Sequence, residues 1–147
     1  MNATHNLKRF INAQDPIFAE VLHELQSQKK ITHWMWFIFP QLIGLGSSQK
    51  SRFYGIHDLV EAEQYWDDPT LRDRLRQCLA LILHVTHDQA DRVFGQTDAQ
   101  KLQSSLTLFE QAAKSDHDRE LCVTALEKFF SGARCERTLH LLASRSG

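Results

Sequence analysis

Ten consecutive residues, Thr32-His33-Trp34-Met35-Trp36-Phe37-Ile38-Phe39-Pro40-Gln41, hold the groups best suited to chemistry in this chain. Two of the three tryptophans and two of the nine phenylalanines fall inside them, bracketed by an imidazole and a side-chain amide. An indole is large and carries an N–H that needs a partner, so Trp34 and Trp36 are suited to walling a cavity, with Phe37 extending the wall. His33 can act as acid, base or hydrogen-bond donor near neutral pH, and Gln41 can read an amide or a base edge. On a helix Trp34, Phe37 and Ile38 share a face while Trp36 points away from Trp34. The same composition also suits a core helix with no ligand, and both readings stay open.

Gly44-Leu45-Gly46-Ser47-Ser48 is a short glycine loop whose amides could cradle an anion, with Arg52 and Tyr54 just beyond as a cation and a phenol. It lacks the lysine of a P-loop and no strand precedes it, so a plain connector is the competing reading. Lys101, Ser104, Ser105 and Thr107 form a polar side of an otherwise apolar helix, with Lys101 three and four residues before the two serines. That spacing suits a phosphate contact or a Ser–Lys pair, and equally suits close packing of a neighbouring helix. His84 and His87, three residues apart, could grip a metal with Asp88 or Asp91 as a third ligand, but histidine pairs at a helix end usually cap or face solvent, so no metal is expected. Cys78, Cys122 and Cys135 are odd in number, lack metal-ligand spacing and read as reduced thiols. Glu61, Glu63, Asp67, Asp68 and Asp73 read as solvated helix faces and caps.

The elements that must position these groups are helices. Leu7, Phe10 and Ile11 open an amphipathic segment, and Asp15-Pro16 reads as an N-cap with proline at the first helical position. Ile17, Val21, Leu22 and Leu25 mark the next helix. The aromatic run follows, stopped at or before Pro40, and 41–51 is the loosest stretch. Asp58 and Asp68-Pro69 cap two more helices, the second long and built on Leu71, Leu75, Cys78, Leu79 and Ile82. A short segment closes at Gly95, Thr97 caps a helix on Leu102, Leu106 and Phe109, and Leu121 to Phe130 forms another, closed by Gly132. Leu139, Leu141 and Leu142 mark the last. No segment alternates with a period of two, so the fold class is all-α, with about six to eight short helices in an orthogonal or superhelical stack.

With 147 residues, 42% of them hydrophobic and 24% charged, the chain suits one helical domain spanning 1–147. A formal net charge of −1 gives no electrostatic case for nucleic acid or an anionic membrane as partner. The longest apolar run, Trp34 to Phe39, falls far short of the roughly 20 residues that span a bilayer. The opening Met1 to His5 does not read as a leader, so a cytoplasmic protein is expected. No motif names a cofactor, and the oligomeric state is not legible.

The chain resembles a bacterial family known as domain of unknown function 1810. The likeness rests on Asn6 to Phe10 with Ala13-Gln14, His33 to Gln41, Gly44-Leu45-Gly46, and Tyr54-Gly55-Ile56. It continues through Glu61-Ala62 with Tyr65, Phe94-Gly95 with Asp98, Lys101 to Phe109, and Phe129 to Gly132 with Thr138. The resemblance implies an all-helical domain with some likeness to armadillo-type stacks, and it supplies no activity. Cys135 departs from the family pattern at a turn position that often holds proline or an acidic residue.

Three functional expectations follow. The first is a module that binds a small anionic or nucleotide-like molecule, walled by Trp34, Trp36 and Phe37 and contacted by His33, Gln41, Lys101 and Ser105. The second is an enzyme at the same place, acting on a nucleotide or ADP-ribose-like substrate with His33 as acid/base and Lys101 or Ser105 near the anion. The third is a helical scaffold that binds peptides.

Overall fold

Ten helices occupy residues 6–145, the part of the chain that the computed structural model describes. They are α1 (Lys8–Gln14), α2 (Phe18–Gln26), α3 (Met35–Ile38), α4 (Gln49–Tyr54), α5 (Leu59–Asp67), α6 (Pro69–Leu83), α7 (Ala90–Phe94), α8 (Gln96–Ala112), α9 (Asp116–Phe130) and α10 (Glu136–Arg145). The all-α expectation holds among these residues, where a lone bridge between Leu42 and Ile56 is the nearest thing to a strand. The count exceeds six to eight because α3, α4 and α7 are single turns or little more, too short to show a period in sequence. No helix among them is long and apolar enough to cross a membrane.

Caps and stops follow the sequence at four of six expected places, Asp58, Asp68, Gly95 and Gly132. Asp58 accepts from the Glu61 amide at 2.9 Å, Asp68 accepts from the Leu71 amide at 3.0 Å ahead of Pro69, and Gly132 follows α9 with φ of +80°. Asp15 instead ends α1, and α2 starts two residues after Pro16. Asp15 is drawn to Arg74 of α6, 2.7 Å away. Thr97 lies inside α8, which begins directly after Gly95. Gly95 closes α7 with φ of +81° and its amide returns to the Asp91 carbonyl, so α7 and α8 meet at a corner that only glycine turns easily.

The centre of the molecule is α8. It packs against α9, α5, α7, α10 and α3, and from Ser104 to Phe109 every residue is buried. The stretch from Ser104 to Phe109 has no solvated face, so the polar side expected there is folded inward at Ser105 and Thr107, while Thr97, Gln100 and Lys101 keep an open edge. Trp66 and Phe109 meet edge-on at 5.8 Å, and the Trp66 indole donates to the Phe109 carbonyl at 2.9 Å.

Glu61 is fully buried, not solvated as expected. Its carboxylate takes Arg9 Nη1 at 2.9 Å and the His57 amide at 2.7 Å. Arg9 uses its remaining donors on the carbonyls of Asn6, Phe53 and Gly55 at 2.6, 2.8 and 2.9 Å. Burial alone would raise the Glu61 pKa. The Arg9 and His57 hydrogen bonds outweigh it and hold the carboxyl below its ordinary value. This pair locks α1 onto the end of α4 and the start of α5, and so fixes the loop beneath the aromatic run.

Candidate functional site

The aromatic run divides between core and surface. Trp34 is 1% exposed and sits just before α3, edge-on to Phe94 with ring centroids 6.4 Å apart. Its indole N–H donates at 2.9 Å to Glu24, a buried carboxylate on α2. Glu24 also receives the amides of Ile31 and Thr32 at 2.7 and 3.1 Å and the Thr32 hydroxyl at 2.7 Å. Burial raises the Glu24 pKa, and these four donors more than reverse that, bringing it down to about 2. Trp34 is therefore a core residue with its polar edge consumed, and the cavity wall expected of it is absent.

Trp36 faces the other way, as the helical spacing requires. It is half-buried, and the ammonium groups of Lys50 and Lys101 lie 4.8 and 4.9 Å from its ring centroid. A π face offsets part of the mutual repulsion of two such cations. Lys101 also approaches Asp98 at 3.4 Å, but that carboxylate is shared with Lys30 at 2.9 Å.

Lys101 stands on the wall of a cleft of about 430 Å³ between the 41–51 loop, the exposed edge of α8 and the start of α10. Its polar lining is Gln41, Ser51, Thr97, Gln100, Lys101, Gln103, Ser104, Cys135 and Arg137, and no carboxylate is among the lining residues. A crevice of only about 10 Å³ shares Gln41 and Ser51 with it and reaches Trp36 and Tyr54, room for no more than one water. A larger depression of about 660 Å³ runs over α2 and α6, but it is an open groove. Two of its arginines, Arg74 and Arg76, are already committed to Asp15 and Asp118 at 2.7 Å each.

The far wall of the cleft is delivered by a turn, residues 131–135, which α8 holds at several points. Gln103 donates to the Ala133 carbonyl at 2.9 Å. Arg134 grips Glu110 with both ends of its guanidinium, at 3.0 and 2.6 Å. The Cys135 amide donates to Thr107 Oγ1 at 2.9 Å, and Thr107 in turn donates to the Gln103 carbonyl at 2.8 Å. Ser131 takes the left-handed conformation at φ 53° to release the chain from α9. The result is that Cys135 immediately precedes α10, with its carbonyl accepting the Leu139 amide and its half-buried sulfur 3.3 Å from Ser104 Oγ.

The structure brings Gln41, Gly46, Lys101 and Ser104 to one cleft, with Trp36 and Tyr54 along its edge. It does not bring the rest. His33 is exposed in the turn before α3 and does not line the cleft. Phe37 is buried against Tyr54, ring centroids 5.3 Å apart. Ser105 is 1% exposed inside the helical packing. Gly44 lies outside the cleft with φ of +102°, and Arg145 Nη2 lies 2.8 Å from the Ile43 carbonyl beside it, so the glycine loop is a docking point for α10. Arg52 is exposed on the outer side of α4 and does not line the cleft. His84 Nδ1 is bonded to the Ala80 carbonyl at 2.7 Å, and His87 accepts the Gln89 amide at 3.1 Å.

Sequence reasoning missed Cys135 and Arg137 as cleft residues, along with the α8 side chains that seat the 131–135 turn. Their separation, some thirty residues along the chain, carries no periodic signal. The one available hint was Cys135 itself, a departure from the family pattern.

A family model described as Protein of unknown function (DUF1810) matches residues 4–142. A crystal structure of a conserved hypothetical protein from Mycobacterium tuberculosis superimposes with a TM-score of 0.89 at 43% sequence identity, covering 94% of this chain and 96% of that one. No curated protein matches the chain.

Proposed function

This chain belongs to the DUF1810 family, whose description assigns no function, and we propose that it binds a small anionic molecule in the cleft between α8 and α10. The observation that carries the reading is the charge of the lining: Lys101 and Arg137 face a concavity of about 430 Å³ that no carboxylate lines. That volume lies in the range of small-molecule sites. The start of α10 adds the positive end of its dipole. Gln41, Gln103 and Ser104 supply neutral donors and acceptors, and Trp36 offers a flat face at the rim. His33 and Ser105 stand outside this cleft, so the enzymatic reading keeps Lys101 for the anion but has no acid/base beside it.

The test is thermal denaturation with inorganic phosphate, citrate and a nucleoside monophosphate as probes. A probe at ten times its Kd should stabilise the fold by about 1.4 kcal/mol, a rise of roughly 3–6 °C in Tm for a chain of this size. Lys101→Met with Arg137→Met should abolish the rise, Trp36→Ala should reduce it, and Trp34→Phe should lower the starting Tm while leaving the rise intact. No rise with any probe, or a rise that survives the double substitution, would overturn the reading.

A further inference from the structure

We propose that the cleft takes a small molecule carrying two phosphoryl groups, one lying between Lys101 and Arg137 and the other against Lys50 at the Trp36 rim. The proposal rests on the anion-binding reading above and extends it, adding a second subsite and setting the charge of the ligand. What carries it is the way the cations around Trp36 are held.

Elsewhere the fold positions cations with carboxylates, which cancel the charge they position. Arg76, Arg134 and Lys114 meet Asp118, Glu110 and Asp67 at 2.7, 2.6 and 3.0 Å. Arg9, Lys30 and Arg74 each lie over an aromatic ring, yet each also has a carboxylate at 2.9, 2.9 and 2.7 Å. Trp36 is different. Its ring holds Lys50 and Lys101, and Lys50 has no ion-pair partner among the described residues. An indole face attracts an ammonium group without bearing a formal charge, so it orients both lysines and leaves their charge for a ligand. Arg137 is equally uncommitted, its one hydrogen bond among the described residues being to the Gly44 carbonyl at 3.4 Å.

These groups come from four elements, since Trp36 lies on α3, Lys50 on α4, Lys101 on α8 and Arg137 on α10. Lys50 and Lys101 share one ring, so their ammonium groups stand no more than about 10 Å apart, close to the screening length in physiological salt. Each therefore raises the potential that an anion feels beside the other. Gln41 and Ser51, the neighbour of Lys50, line both the cleft and the crevice that reaches Trp36, which makes the two subsites continuous. Trp34 and Trp66 spend their indole N–H groups on Glu24 and the Phe109 carbonyl, whereas that of Trp36 has no partner among the described residues. With the Gln41 amide it can donate to a phosphoryl oxygen.

Lys50, Lys101 and Arg137 are offset by a single carboxylate, Asp98, which Lys30 also claims. One phosphate leaves much of that charge unanswered. Two phosphoryl groups carry roughly −3 to −4 near neutral pH and match it. The requirement is the same for adjacent groups, as in a diphosphate, and for separated ones, as in a sugar bisphosphate.

The experiment is isothermal titration at constant ionic strength with inorganic phosphate, pyrophosphate and fructose bisphosphate. Wild type should bind at least one of the two-phosphoryl probes about tenfold more tightly than phosphate, and which one it prefers reports the spacing of the groups. Lys50 is exposed, so its variants keep the fold. Lys50→Met should weaken the preferred probe about fivefold and leave phosphate unchanged, while Lys50→Arg should retain the preference. Lys29→Met, an equal loss of charge at an exposed position outside the cleft, should alter neither affinity. Phosphate binding with no advantage for either two-phosphoryl probe would overturn the second subsite and leave the anion-binding reading standing. So would a loss in Lys50→Met that is equal for all probes or matched by Lys29→Met. Absence of binding by every probe would overturn both.

Discussion

Replacing Glu24 with glutamine separates the charge of the hub beneath Trp34 from its shape. The carboxylate gathers four donors, from Ile31, Thr32 twice and Trp34, and is fully enclosed. Its pKa falls from 4.5 for the free side chain to about 2 in the fold. A folded-state value below the unfolded one means stability that is present above pH 4.5 and lost as pH falls toward 2. The difference corresponds to about 3 kcal/mol in all, of which about 2 kcal/mol is gone by pH 3. Glutamine mimics the protonated acid, so Glu24→Gln should cost about 3 kcal/mol at pH 7 and nearly nothing at pH 2. The assay is urea denaturation followed by tryptophan fluorescence at pH 7, 5, 4 and 3, for wild type and variant. Both lose stability in acid through Glu61 and Asp118, whose pKa values are also depressed, so the informative quantity is the gap between the two curves. It should narrow by about 2 kcal/mol between pH 7 and pH 3. A gap that stays constant across that range would refute the claim that the hub is held by charge.

Two further predictions concern the frame around the cleft. Arg9→Met should destabilise the fold by about 3–5 kcal/mol because it strands the buried Glu61 carboxylate, and adding Glu61→Met should recover much of that loss, as measured by chemical denaturation of both variants. A double variant no better than the single one would mean that Arg9 acts through its three carbonyl contacts instead. Gly44→Ala should cost about 1–3 kcal/mol, since φ of +102° is strained for alanine and the new Cβ would stand 2.9 Å from the Arg145 guanidinium. Differential scanning calorimetry would show it as a lowered Tm, with no loss of phosphate stabilisation.

Much of the helical layout was legible locally. Asp58 and Asp68-Pro69 cap where their chemistry says they should, and the apolar spacing of Leu71, Leu75, Cys78, Leu79 and Ile82 marks the buried face of α6, because capping and periodicity depend on residues only three or four apart. The opposed directions of Trp34 and Trp36 were legible for the same reason. Tertiary structure decided what each direction meets. Glu24, ten residues upstream on another helix, claims the Trp34 indole and places it in the core, while Lys50 and Lys101 claim Trp36 and place it on a cationic rim. Glu61 reads as a surface carboxylate until Arg9, 52 residues away, arrives beside it. The polar stripe of α8 reads equally as an anion contact or a packing face until neighbouring helices bury Ser105 and Thr107 and leave Lys101 on the cleft. The cleft itself joins Gln41, Lys101 and Cys135, three positions on three separate elements. Their proximity comes from long-range packing around α8, and no local rule of spacing encodes it.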